Sequence, residues 1–173
     1  IADQLNISNA DAQKIVDLFD NKFPDVQSLI ITLNAFATAY GYVETVYDRK
    51  RRLPDMQLEA NWRNKQKISS AKRQVLNAVI QGTAGDIIKK AIVSLDYDKE
   101  LRKLGFNLIV TVHDEIIGEG PKENALKIAK RFRQIMIDTP KDRIDLPFNV
   151  DIEISDRWYG KSLFVEELKE LTD

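Results

Sequence analysis

Val112-His113-Asp114-Glu115 places the only histidine of the chain and two adjacent carboxylates at the end of an apolar run that begins at Phe106. Unpaired carboxylates are costly to bury, so a turn carrying two of them is either solvated or bound to a cation. Two readings follow: a polar hairpin turn, or a Mg²⁺ site, because Mg²⁺ takes one or two hard carboxylates, several waters and phosphate oxygens. A strand end suits the second reading because it fixes carboxylate geometry. His113 also fits as a satisfied polar side chain of the turn, since one histidine is too little to assign a proton shuttle. Arg73, Asn77 and Gln81 follow one another at i, i+4 spacing and form one polar stripe on a helix. Such a stripe is commonly a solvent face, but these three side chains also carry the donors that meet N3 and O2 acceptors in a minor groove. From Arg49 to Arg73, the cations Arg49, Lys50, Arg51, Arg52, Arg63, Lys65, Lys67, Lys72 and Arg73 are opposed only by Asp55 and Glu59. That stretch is a solvated face or a phosphate-binding surface.

These residues need elements to hold them. Ser8 stands as an N-cap with Asp11 three residues on, ahead of Ile15, Val16, Phe19 and Phe23 at helical spacing. Pro24 interrupts that helix, and a second one carries Val26, Leu29, Ile30, Leu33 and Ala37 on one face before Gly41 ends it. Tyr42 to Tyr47 has strand composition, and with the arginines that follow it predicts a hairpin with a basic tip or edge. A long helical tract runs from about Ile68 towards Leu104, with a break or kink expected at Gln81-Gly82-Thr83-Ala84-Gly85 because two glycines weaken a helix locally. Phe106–Val112 is a strand and Ile116-Ile117 starts a returning one. Pro121 opens a helix burying Ala125, Ile128, Ala129, Phe132, Ile135 and Met136, Phe148–Ile154 alternates as a strand, and a short helix follows Ser162. The fold class is α/β of the α+β kind, a small antiparallel sheet packed on long helices.

Composition sets the bounds. The 173 residues are 43% hydrophobic and 31% charged, with 26 Lys+Arg against 27 Asp+Glu, which suits a folded domain and not a disordered chain. No apolar run reaches the roughly 18 residues of a membrane span. With no cysteine and one histidine, disulfide scaffolds, thiolate or His-rich metal sites and cysteine nucleophiles are excluded. Near-zero net charge argues against a wholly basic nucleic-acid-binding domain and leaves local patches open. The chain begins at Ile1, without Met or a signal peptide, so a piece of something longer is expected.

Taken together, the blocks resemble the C-terminal part of the family A DNA polymerases, the bacterial polymerase I type and its phage relatives. Gly41-Tyr42-Val43-Glu44-Thr45 followed by Arg49-Lys50-Arg51-Arg52-Leu53-Pro54 is similar to the family's glycine-to-arginine hairpin. Arg73, Asn77, Ala78 and Gln81-Gly82-Thr83-Ala84, with Asp86-Ile87-Ile88-Lys89, resemble its long palm helix. Val112-His113-Asp114-Glu115 resembles its palm motif, and Leu5-Asn6-Ile7-Ser8 with Phe23-Pro24 resembles the segment after the nucleotide-binding helix of the fingers. The resemblance implies that residues 1–40 are the C-terminal part of the fingers and 41–173 a palm portion. It implies Asp114 as a ligand of two catalytic Mg²⁺ ions, Glu115 in support and His113 at the primer terminus. It also implies Arg73, Asn77 and Gln81 in the minor groove, and Arg49, Lys50, Arg51 and Arg52 on phosphates. The implied partners are primer-template DNA, dNTPs and the rest of the polymerase chain, in the cytoplasm of a bacterial or phage-infected cell.

Some features depart from the family. Lys72 stands where a Glu is usual, Gly85 where an Ala is usual, and Tyr47-Asp48 replaces a more glycine- or histidine-like turn. The family's first catalytic Asp and its triphosphate-binding helix precede the matched region, so the chain alone is expected to be inactive. Asp96-Tyr97-Asp98-Lys99-Glu100-Leu101-Arg102 looks like the family's other catalytic motif but is one residue short and falls after the palm helix. It reads instead as the polar end of a helix. Other readings are a nucleic-acid-binding subunit of a split polymerase, a family A RNA polymerase, disfavoured by Glu115, and a Mg²⁺-dependent hydrolase using Asp114 and Glu115.

Overall fold

Ser8 caps the first long helix as its spacing predicts. Its hydroxyl oxygen accepts the Asp11 N–H at 3.1 Å and donates to the Asp11 carboxylate at 2.7 Å, satisfying a donor that a helix start leaves open. In this computed structural model, which describes residues 2–164 and 168, a short helix α1 (Ala2–Leu5) precedes α2 (Asn9–Lys22). Pro24 ends α2 and serves as the first residue of α3 (Pro24–Tyr40), where its missing N–H has no helical partner to lose. Gly41, at φ 72°, closes α3.

The chain divides into two compact units, Ile1–Gly82 and Thr83–Asp173. In the first, β1 (Tyr42–Glu44) and β2 (Lys50–Arg52) pair antiparallel, with Tyr42 opposite Arg52 and Glu44 opposite Lys50. The tip of this hairpin is Val46-Tyr47-Asp48, so the basic residues form its edge. A 3₁₀ turn (Pro54–Gln57) then leads to α4 (Lys65–Tyr97). Ala37, Val43, Leu53, Met56, Ala71 and Val75 form the core of this unit. Each fully buried aliphatic side chain of Val size or larger contributes about 1.5–3 kcal/mol.

The second unit holds α5 (Lys99–Lys103), β3 (Asn107–Val112), β4 (Glu115–Glu119), a 3₁₀ turn (Lys122–Asn124) and α6 (Ala125–Asp138). A further 3₁₀ turn (Thr139–Asp142) and the short pair β5 (Ile154–Ser155) and β6 (Ser162–Leu163) follow. Its core joins Leu95, Leu101, Phe106, Ile128, Phe132 and Ile135, with Phe106 edge-on to Phe132 at 5.6 Å.

Several expectations change. No break interrupts α4 at Gly82 or Gly85; two glycines cost about 1 kcal/mol each, which packing along a helix of 33 residues absorbs. α4 starts at Lys65 because Asn61 caps it, its side-chain oxygen accepting the N–H groups of Arg63 and Asn64 at 3.1 Å. The tract also ends earlier, at Asp98, whose carboxylate caps α5 by accepting the Leu101 N–H at 2.8 Å. Of Phe148–Ile154 only Ile154 is in a strand. Arg133 takes the Val150 carbonyl at 2.9 Å and the Asn149 side chain at 2.7 Å, giving that backbone a partner outside any ladder. The strands form three separate two-stranded pairs among the described residues, instead of one sheet. Ser162 and Leu163 form β6; of the helix expected after Ser162, Leu168 is helical, and residues 165–167 and 169–173 lie outside the described residues. No helix among the described residues is long and apolar enough to cross a membrane.

Candidate active site and nucleic-acid face

β3 and β4 place the carboxylates. Val112 pairs with Glu115, so His113 and Asp114 form a two-residue turn between antiparallel strands. His113 takes φ 56°, the left-handed conformation a tight hairpin turn demands and which His adopts more readily than most residues. So short a loop leaves its side chains nothing to pack on, and His113, Asp114 and Glu115 are all exposed. The base of the hairpin is fixed by packing: the Phe106 ring lies where a Cβ at Gly118 would be, so β4 closes on the aromatic core only with glycine there. Ile109 is the extra residue of a bulge between Leu108 and Val110.

No hydrogen bond or ion pair engages the Asp114 side chain among the described residues. An exposed, unengaged carboxylate on a hydrogen-bonded turn fits a hard divalent cation that completes its shell with water and phosphate oxygens. Glu115, next to Asp114 in the chain, opens β4. Among the described residues no group of three or more His, Asp or Glu side chains gathers to hold a metal.

The second constellation lies on α4. Arg73, Asn77 and Gln81 are all exposed, while Ala71 and Val75 on the opposite side enter the core. Arg73 is held by its own helix, Nη1 donating to Ser69 Oγ at 2.9 Å. The basic hairpin divides by role. Arg51 and Arg52 are exposed on β2, Lys50 lies over the Tyr42 ring at 4.5 Å and 3.6 Å from Glu44, and Arg49, also exposed, reaches across to α4. Arg49 Nη2 donates to the Gly82 carbonyl at 3.1 Å, which ties the hairpin to α4 beside Gln81. Buried Thr45 packs at the same place, 2.7 Å from where a Cβ at Gly82 would lie. Sequence reasoning missed this joint, because a contact across 33 residues leaves no local periodicity. It also passed over Trp62, 81% exposed; an aromatic just before Arg63, Lys65 and Lys67 was the available signal.

The segment resembling a second catalytic motif has a structural account. Asp98 caps α5 and receives Arg131 at 2.6 Å, and the carboxyl of Asp98 is held below its usual value, chiefly by that hydrogen bond. Arg131 is correspondingly pushed up by Asp98, and Asp138 is held down by hydrogen bonds from Lys141 and Gln134.

The family model for DNA polymerase family A matches residues 1–160. The chain belongs to DNA polymerase family A. It is 34% identical over 159 residues to DNA polymerase I of Bacillus caldotenax, covering 92% of this chain and 17% of that one. To the thermostable DNA polymerase I of Thermus aquaticus it is 32% identical over 158 residues, covering 91% and 18%. The solved POL domain of Pol1 from M. smegmatis, in complex with DNA primer-template and dNTP, matches with a TM-score of 0.72 and 30% identity. That match covers 80% of this chain and 24% of the solved one. The chain thus spans about a sixth of the curated family A relatives it matches.

Proposed function

We propose that this chain is the fingers-to-palm portion of a DNA-directed DNA polymerase that transfers nucleotides from dNTPs to a primer 3′-hydroxyl. Residues 1–40 form the end of the fingers and 41–173 the palm portion. The family match across residues 1–160 carries this reading. The exposed carboxylate of Asp114 on its two-residue turn, and the M. smegmatis relative solved with primer-template and dNTP, support it.

Asp114 would hold Mg²⁺, with Glu115 in support. When bound, a metal pair activates the 3′-hydroxyl and neutralises charge on the triphosphate. The chain's own residues position the nucleic acid. Arg73, Asn77 and Gln81 present donors from one ridge of a helix to the minor groove, where every correct pair shows acceptors at equivalent places. Such contacts test pair shape without reading sequence. His113, beside Asp114, would meet the primer terminus. Arg51, Arg52 and Lys50 present charge to phosphates, which suits binding to any sequence. Arg49 acts on the same surface through the Gly82 carbonyl, holding hairpin and helix together. The cellular setting is the cytoplasm of a bacterial or phage-infected cell.

The chain covers 17% of its Bacillus caldotenax relative, and by itself it should not extend primers. Primer extension with Mg²⁺ and four dNTPs tests both statements: the polymerase containing this chain extends, and the 173-residue chain alone does not. Extension by the chain alone would remove the need for further metal ligands, and failure of the larger protein would remove the activity.

A further inference from the structure

We propose that the loop before α4 and the first two turns of that helix form a second nucleic-acid subsite, which grips the sugar–phosphate backbone of the duplex several base pairs beyond Gln81. The inference rests on the reading of α4 as a duplex-facing helix and extends it to residues outside the matched motifs.

A cavity of about 520 Å³ opens there, lined by Ala60, Asn61, Trp62, Lys65, Ile68, Ser69 and Lys72. No carboxylate lines it. Glu59, next to Ala60 in the chain, accepts from the Asn61 side chain at 3.4 Å. Lys65 and Lys72 are exposed and lie almost on one line along α4, seven residues being close to two full turns. Trp62 stands 81% exposed with the Arg63 guanidinium 5.1 Å from its ring, which orders a third cation at the rim. A flat apolar ring framed by three cations matches a deoxyribose with phosphates on either side.

The cavity is continuous with the polar stripe. Ser69, in its wall, is the residue that accepts from Arg73, and Lys65, Ser69, Arg73, Asn77 and Gln81 follow one i, i+4 ridge. At 1.5 Å per residue, Lys65 lies about 12 Å from Arg73 and about 24 Å from Gln81 along the helix. At 3.4 Å per base pair the longer span is about seven base pairs. A duplex held at Gln81 reaches the cavity only if it is long enough.

Duplex length is therefore the test. Equilibrium binding of the polymerase containing this chain is measured on two primer-template hairpins, with stems of about 5 and 14 base pairs closed by an uncharged linker. The double variant Lys65→Ala/Lys72→Ala should bind the long stem about fivefold or more weakly, and its salt slope should fall by about 2, two phosphates at about 0.9 each. On the short stem it should match the parent. Trp62→Ala should lose about two- to fivefold on the long stem only. All three side chains are exposed, so thermal melting should stay that of the parent. No change on the long stem, an equal loss on both stems, or a loss confined to single-stranded DNA would overturn the proposal. Arg73→Ala separates the two levels. If it weakens both stems while the lysine variant weakens neither, only this subsite fails; if it weakens neither, the duplex-facing reading of α4 fails and the subsite with it.

Discussion

Gly82 and Gly85 lie three residues apart in α4 and face different surroundings. A Cβ at Gly85 would have nothing within 4 Å, so Gly85→Ala should stabilise the protein by about 1 kcal/mol, the propensity difference between the two residues. A Cβ at Gly82 would lie 2.7 Å from Thr45 Cγ2 and 3.1 Å from Arg49 Nη2. Overpacking of that kind costs about 1–3 kcal/mol, so Gly82→Ala should lose stability despite the better helix former. Urea denaturation of both variants checks the sign; shifts in the same direction would show that the hairpin does not press on Gly82. Nothing in the local sequence separates the two glycines, and both look like helix breakers. The difference comes from Thr45, far away in the chain.

Elements were legible where one or two neighbouring residues decide them. Ser8 with Asp11, Pro24 and Gly41 marked the helix ends because caps are local chemistry, and the strand run into His113-Asp114 marked the β3–β4 turn. Of the strand expected at Phe148–Ile154 only Ile154 pairs, and the Val150 carbonyl takes a hydrogen bond from Arg133, in α6, outside any ladder. Asp98 shows the same dependence on a distant partner. Its capping role is local, but Arg131 lowers its pKa from across the unit. A carboxyl lowered in the folded state adds stability above its unfolded value near 3.8, and that stability is lost as pH falls through the lower folded value. Arg131 is partly exposed, so solvent screening limits the charge contribution to about 0.5–1 kcal/mol. Asp98→Asn keeps a capping oxygen and should lose about that much at pH 7. Denaturation curves of the two proteins should converge once pH drops below the folded value of Asp98; a gap that persisted there would assign the loss to packing instead.

At the scale of the whole molecule, near-neutral net charge conceals an uneven distribution. The edge strand Lys50–Arg52 and the α4 face from Lys65 to Gln81 carry cations and amides, and the β3–β4 turn carries the exposed carboxylates. On the proposed reading, the cationic face would hold a polyanion and the exposed carboxylates a metal. The role of Asp114 is the point on which the account stands. Single-turnover primer extension by the polymerase containing this chain, with Asp114→Asn beside the parent and primer-template affinity measured in parallel, addresses it most directly. The exposed position of Asp114 means the substitution should leave folding and DNA affinity within about threefold, while loss of metal stabilisation worth several kcal/mol should slow extension by about 10²–10³-fold. Near-normal extension by Asp114→Asn would show that the carboxylate does not hold the catalytic metal.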